Sequence, residues 1–328
     1  MKAVIYARYG GPEVLRVADV PAPVPGDRDV LIRVRAAEAT KSDCEFRSFR
    51  LSVKWFWLPL RLGLGVTRPR RRILGMYFAG EVVSTGGRVT RFAPGDQIYG
   101  STGLLQGAYG EYVVLPERAA IAPKPRTMTF AEAVGVPLGG LNALHFMRRA
   151  RIQPGEQVLI NGAGGSIGAH AIQIACSMGG QVTAVEHPIK EDLVLRLGAT
   201  DFVDYTTEDV TTTGRRFDVI FDMVPGSSYG RLIGLLRPGG RYLNGNPRLS
   251  VLVRSVLTIR FTDKTVTVAF APESTEALAA LTEMIEADQI RPIVDRIYPM
   301  DEAAAAHRRV ETEQRLGAVV LTIAEGPP

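Results

Sequence analysis

The stretch QVLINGAGGSIGAHAIQIACSM, residues 157–178, decides the fold. Gln157–Asn161 is a short apolar run that reads as a strand, and Gly168–Met178 reads as a helix. Between them run Gly162, Ala163, Gly164, Gly165, Ser166, Ile167 and Gly168. Glycines at such a junction let the backbone turn tightly and approach a pyrophosphate. The helix N-terminus then offers free N–H groups and the positive end of its dipole. A glycine string alone can be a plain structural turn. Here a second strand, Gln181–Glu186, follows, and its last residue is an acid 18 positions past Gly168. That is close to the ~20 residues expected before an acid that contacts a ribose. The stretch therefore reads as a dinucleotide-binding turn.

The alternation continues downstream. Strands are expected at Phe202–Asp204, Phe217–Asp222, Gly240–Leu243 and Lys264–Phe270, with helices at Ile189–Leu197, Tyr229–Leu236 and Ser274–Ala287. Nearly continuous apolar strands separated by helices mean a parallel sheet covered on both faces. Upstream, Phe130–Arg149 reads as one helix. Before it the chain is β-rich, with short strands at Ala3–Ala7, Val30–Ala36, Phe78–Ser84 and Glu111–Leu115 between Gly- and Pro-containing turns. The tail, Ile290–Ile323, turns irregular again and is expected to return to the first domain. The fold class is α/β, with a first domain at 1–119 completed by 272–328 and a doubly wound parallel sheet over 120–271.

The 328 residues carry 39 basic and 34 acidic side chains, a net charge of +5. The excess is local. From Phe46 to Gly80 there is no Asp or Glu, but there are eight basic residues, which leaves 31 basic against 34 acidic elsewhere. This distribution argues against a protein that coats nucleic acid along its length. Cys44 and Cys176 are too few for a disulfide framework or a four-cysteine zinc site, so a reducing, cytoplasmic setting is expected. The N-terminus acquires acids early and does not read as a signal peptide. The apolar stretch Leu51–Val66, broken by Lys54, Pro59 and Arg61, falls short of the ~20 residues of a membrane span.

Several further motifs accompany the glycine turn: MKAVIYARYGGPEVL (1–15), VTRFAPGDQIYG (89–100), GAYGEYVVLPE (107–117), VPLGGLNAL (136–144) and GRYLNGN (240–246). With NGAGGSIG (161–168), they make the chain resemble, nearly end to end, the zinc-independent quinone oxidoreductase branch of the medium-chain dehydrogenase/reductase superfamily. The resemblance implies a GroES-like, β-rich catalytic domain built from both termini, a Rossmann domain between, a nicotinamide cofactor and a homodimer. Zinc-dependent relatives carry a Cys two residues before an Asp, then Gly-His-Glu and a later Cys. The matching positions here are Lys41 before Asp43, Gly75-Met76-Tyr77, and Leu138, none of them a usual zinc ligand. His145, His170, His187 and His307 are scattered without ligand spacing. Without a Lewis acid, conjugated acceptors such as quinones and α,β-unsaturated carbonyls are favoured over plain ketones.

By the same resemblance, Thr40, Lys41, Ser42 and Asp43 lie on the loop facing the nicotinamide. Lys41 and Tyr77 are expected to point into the pocket that zinc would fill, where either can donate to an oxyanion. A structural role, with Tyr77 packed and Lys41 solvated, is the alternative. Asn142 stands where the family usually has Thr beside the nicotinamide. Asn244 and Asn246 lie where the cofactor passes. Cys44 reads as a packed bystander. Glu186 at the strand end favours NADH, because it repels a 2′-phosphate. Lys190, and His187 when protonated, offset that repulsion, and the balance with the family habit leans slightly to NADPH.

The insertion RSFRLSVKWFWLPLRLGLGVTRPRRR (47–72) holds both tryptophans, Trp55 and Trp57. It is expected at the substrate mouth as a lid, as a peripheral membrane contact, or as a surface for the other subunit or an acidic carrier, with a solvated basic loop whose aromatics fill local core as the plain alternative. Lys264–Phe270 is β-branched and last in its sheet, which supports pairing with a second copy. The reading is thus an NAD(P)H-dependent quinone or enone oxidoreductase. An alcohol/ketone dehydrogenase, an enoyl-thioester reductase and a non-catalytic NAD(P)H-binding sensor are the alternatives.

Overall fold

The computed structural model describes residues 1–51, 57–246 and 248–324. Trp55, expected at the substrate mouth, lies outside the described residues. The chain divides into two units: Met1–Pro137, Glu273–Ala287 and Pro292–Pro328 form one, and Leu138–Pro272 with Asp288–Arg291 the other.

The first unit opens with an antiparallel pair, β1 (Lys2–Ile5) and β2 (Arg16–Asp19). Then come β3 (Asp29–Ala39), α1 (Lys41–Ser48), α2 (Trp57–Leu64), β4 (Tyr77–Thr85), β5 (Gln97–Ser101), β6 (Tyr112–Pro116), β7 (Ile121–Pro123) and α3 (Phe130–Ala133). β3 is the spine of this unit. Its first half alternates, with Val30, Ile32 and Val34 turned into the core, as expected when one sheet face meets other layers. Its last four residues, Ala36–Ala39, are all buried, and they lead straight into α1.

The second unit begins at α4 (Pro137–Ala150). It continues through β8 (Gln157–Asn161), α5 (Ser166–Ser177), β9 (Gln181–Glu186), α6 (Glu191–Arg196), β10 (Asp201–Asp204), β11 (Phe217–Asp222), α7 (Tyr229–Gly234), β12 (Leu236–Asn244), α8 (Leu249–Phe261) and β13 (Thr265–Val268). The strands form one parallel sheet in the order β10-β9-β8-β11-β12-β13. That is the doubly wound order, with its reversal between β8 and β11, and it bears out the α/β reading. The chain then closes the first unit with α9 (Thr275–Glu286), β14 (Val294–Pro299), α10 (Ala303–Glu311) and β15 (Ala318–Thr322). β15 pairs antiparallel with the end of β3, Val319 opposite Ala39, so the tail completes a sheet ordered β14-β15-β3-β4-β5-β7, with β6 also on β3.

Three expectations need correction. The helix expected over 130–149 is two helices. Thr129 and Glu132 form a capping box that starts α3, and Pro137, lacking an N–H, opens α4. The boundary expected at 119/120 falls at 137/138, because β7 pairs with β5 and belongs to the first sheet. α8 was not expected at all. Its outward residues, such as Val253, Val256 and Phe261, are apolar, so no polar face marks it in the sequence.

Candidate active site

At the glycine turn the backbone does most of the work. Gly162 adopts φ +88°, and a Cβ on Gly168 would sit 2.3 Å from the Gly162 carbonyl oxygen, so the start of α5 can lie this close to β8 only without one. Gly165 differs. No atom lies closer than 4.0 Å to its missing Cβ, so its openness serves no internal packing. Gly165 is also the N-cap of α5, and no side chain caps that end. The Ser166 hydroxyl is buried without a partner. An open face, uncapped N–H groups and the helix dipole together suit a phosphate.

Glu186, His187 and Lys190 lie beside this turn. Glu186 is buried; one carboxylate oxygen accepts from Gly164 N–H at 2.8 Å and the other from His187 N–H at 3.0 Å. Lys190, also buried, places its ammonium 3.4 Å from the same carboxylate. The acid expected to choose between cofactors is therefore held in an ion pair at the turn itself.

The sheet reversal between β8 and β11 carries a second cluster. Asp222 accepts from Asn161 (2.9 Å) and Tyr242 (2.6 Å), and from the Ser227 hydroxyl. Asn244 donates to Tyr242 at 3.2 Å, and its side-chain Oδ1 accepts from Asn246 N–H at 2.8 Å. Asn246 donates in turn to the Met223 carbonyl. Asn244 thus shapes the strand ends from beneath. Beside it opens a cavity of about 170 Å³, walled in part by Ser228, Asn246, Arg248 and Arg254. Asn142, on α4, donates to the Leu138 carbonyl at 2.9 Å and is half-buried.

In the first unit, Asp43 is fully buried at the third position of α1. One oxygen accepts from Thr40 N–H (3.0 Å) and the Thr40 hydroxyl (2.6 Å); the other accepts from Gly75 N–H (3.0 Å). The Tyr109 hydroxyl also favours its charged form. Gly75, at φ +97°, has no room for a Cβ against the Tyr109 ring. Burial pushes Asp43 up to about 6, while these hydrogen bonds pull the other way. The chain of contacts runs on. Tyr109 Oη lies 3.0 Å from His307 Nε2, and Arg47 Nη1 lies 2.9 Å from His307 Nδ1. Arginine only donates, so Nδ1 accepts and the proton sits on Nε2, facing Tyr109. Arg47 also bonds the Gly10 carbonyl and the Glu311 carboxylate. Burial, then the Arg47 charge, push His307 down to about 3. Cys44 Sγ is 3.4 Å from His307 Nδ1, and burial pushes the thiol up to about 12, as suits a packed bystander.

Lys41 is turned outward. Its ammonium pairs with Glu313 at 2.5 Å, and its side chain is 47% exposed, which matches the solvated alternative. A hydrated ammonium at the exposed start of α1 has no reason to be desolvated. Tyr77 is buried and donates to Glu273 at 3.1 Å. Beside it stands a residue that sequence reasoning missed. The β3–β4 register, with Ala36 opposite Ala79 and Ala37 opposite Phe78, leads to Glu38 alongside Tyr77. Glu38 is buried, one of its oxygens has no partner, and burial holds its carboxyl well above the usual range. A lone acid in the apolar run AAEA was the available signal.

Among the described residues no group of three His, Cys, Asp or Glu is placed to hold a metal ion. Lys41, Met76 and Leu138 do not form a zinc donor set. No helix of the described residues is long and apolar enough to cross a membrane.

A parallel dinucleotide-binding sheet in one unit, and a β-rich second unit closed by the chain's tail, are the build of a nicotinamide-dependent dehydrogenase or reductase. Residues 26–126 match the alcohol dehydrogenase GroES-like domain family, and residues 197–321 match the zinc-binding dehydrogenase family. The quinone oxidoreductase of Pseudomonas aeruginosa is 31% identical over 98% of this chain and 99% of its own length. The NADPH-dependent alkenal/one oxidoreductase of Arabidopsis thaliana chloroplasts is 29% identical, with 98% of this chain and 79% of that protein covered. The solved structure of the Coxiella burnetii quinone oxidoreductase overlays with a TM-score of 0.87 at 27% identity, covering 99% of each chain. The chain belongs to the quinone oxidoreductase branch of the medium-chain dehydrogenase/reductase superfamily, and it is an NAD(P)H-dependent oxidoreductase.

Proposed function

We propose that the protein reduces a quinone or an α,β-unsaturated carbonyl, without zinc and with NADPH preferred over NADH. The observation that carries the substrate class is the occupancy of the three zinc-ligand positions. They hold an ion-paired lysine, a thioether and an alkyl chain, Lys41, Met76 and Leu138. With no ligand set to polarise a lone carbonyl, an acceptor that spreads charge over its own π system suits the site better.

The bound nicotinamide would supply the hydride. The turn Gly162–Gly168 would hold the pyrophosphate at the N-terminus of α5, with Gly165 giving the closest approach. Lys190 offsets the charge of Glu186, so a 2′-phosphate there meets a paired carboxylate rather than a bare one. Asn246 and Asn142 line the proposed cofactor path. For the oxyanion, the donors proposed are the Glu38 carboxyl, one oxygen of which has no partner, and the Tyr77 hydroxyl once it leaves Glu273. Asp43 and its partners position the loop Thr40–Asp43 rather than react.

A homodimer is proposed through the free edge of β13, flanked by the exposed apolar side chains of α8. A reducing cytoplasm fits Cys44 and Cys176 as thiols. A direct test mixes NADPH-loaded protein with a naphthoquinone, an alkenone and a saturated ketone in turn, with chelator present. Rapid loss of the reduced-nicotinamide absorbance is expected with the first two. Turnover of the ketone alone would overturn the reading, and no turnover with any acceptor would favour a sensor. Light scattering that shows a monomer at micromolar concentration would remove the dimer.

A further inference from the structure

A helix on a soluble surface normally turns its charge outward and its apolar side inward. α2 is inverted. Its arginine, Arg61, is folded in, with the guanidinium 4.5 Å from the Tyr9 ring centre and 4.4 Å from that of Phe49. Tyr9 fastens the helix end by donating to the Gly65 carbonyl at 2.8 Å. The outward side is apolar. Trp57, Leu58 and Leu62 are 46%, 59% and 56% exposed; Leu58 and Leu62 lie one turn apart on α2, and Val66, just past the helix end, is exposed as well. Leu104 and Leu105 are exposed too, and Arg71 ties them to this segment by donating to the Leu105 carbonyl at 3.0 Å.

Around this apolar row stand Arg50, Arg68, Arg70, Arg71 and Arg72, all exposed. Among the described residues no carboxylate forms an ion pair with any of the five. The sequence offers no acid between Phe46 and Gly80. We infer that this face docks on an anionic lipid bilayer, with Trp57, Leu58 and Leu62 in the headgroup–acyl boundary and the arginines on lipid phosphates. Tryptophan and arginine-rimmed apolar rows suit that boundary, which accepts side chains without a matching pocket. A second copy is a poor occupant, because a two-fold contact would set five unpaired arginines against five. Each arginine near an anionic surface is worth roughly five-fold in partition, and salt screens the attraction.

The test is sedimentation of the full chain with vesicles of phosphatidylcholine alone or with phosphatidylglycerol, at low and high salt. Binding is expected only with phosphatidylglycerol and only at low salt. Two double variants, Leu58→Ser with Leu62→Ser and Arg70→Glu with Arg72→Glu, should each reduce it at least about ten-fold while NADPH oxidation and Tm stay unchanged. No binding at low salt would overturn the inference, as would binding that both variants leave intact. Equal binding to neutral vesicles would overturn the role of charge. Capture by polyglutamate without capture by vesicles would replace the bilayer with an acidic partner.

Discussion

The glycine turn and the Asp43 cluster are built in opposite ways. The turn is contiguous: seven consecutive residues, shaped by backbone conformation and missing Cβ atoms. The Asp43 cluster draws Thr40 and Arg47 from α1, Gly75 and Tyr109 from loops, and His307 and Glu311 from α10. Side chains far apart in sequence do its work in a buried setting. The contrast teaches where fragility lies. Changes on the open face of the turn should cost binding, whereas changes in the cluster should cost stability and its dependence on pH.

The largest effect is expected at Arg47. Arg47→Met leaves the Gly10 carbonyl and His307 without their donor, and each buried acceptor left unsatisfied costs roughly 1–3 kcal/mol. Urea unfolding should show this loss, with NADPH affinity of the folded protein unchanged. If affinity falls while stability holds, the two regions are not separable as described.

Next is pH. Asp43 has a folded value near 6 against an ordinary 3.8. The folded state therefore holds a proton that the unfolded state has lost. The stability this adds is full below about 4 and is lost as pH rises through about 6. Over that window wild type should lose about 3 kcal/mol relative to Asp43→Asn. His307 acts in the reverse sense. Its value is lowered from 6.5 to about 3, so its contribution is full above 6.5 and lost as pH falls toward 3. A stability difference between wild type and Asp43→Asn that is flat from pH 4 to 6 would show that burial does not control the carboxyl.

At the turn, Gly165→Val should weaken NADPH binding by about 100-fold, or about 2.7 kcal/mol, with an unchanged Tm. Gly168→Ala should instead lower stability by about 1–3 kcal/mol, because its Cβ meets backbone. Fluorescence titration and thermal melts separate the two. If Gly165→Val unfolds the protein, the open face is structural after all. The smallest effect is at Glu186. Glu186→Ala should raise NADPH efficiency over NADH only a few-fold, since Lys190 already offsets the carboxylate. A change of about 100-fold would mean that Glu186 faces the 2′-position alone.

The second unit was legible to within a residue or two at β8, β9 and β11, and the glycine turn fell where expected. Strands buried on both faces and glycines at a turn are local constraints, and local constraints leave local patterns. Tyr109 and His307 left no such trace. A tyrosine in GAYGEY and a histidine in AAAAHRRV look ordinary until β15 and α10 return beside β3 and α1. Glu38 stood out in its strand only as an acid among alanines. Lys41 left a pocket-facing and a solvated reading open, because sequence position does not say which way a side chain leaves a helix start.

By itself the sequence determined the parallel sheet, the dinucleotide turn, the family and the confinement of the +5 charge to one segment. These depend on backbone geometry and composition, which neighbouring residues carry. Only the tertiary structure decided that Asp43 is locked by donors from distant segments, that Glu38 stands beside Tyr77, and that Arg61 turns inward while Leu58 and Leu62 of α2 turn out. Which groups lose water is settled by long-range packing, and desolvation, not sequence spacing, sets what a buried charge costs and what it can do.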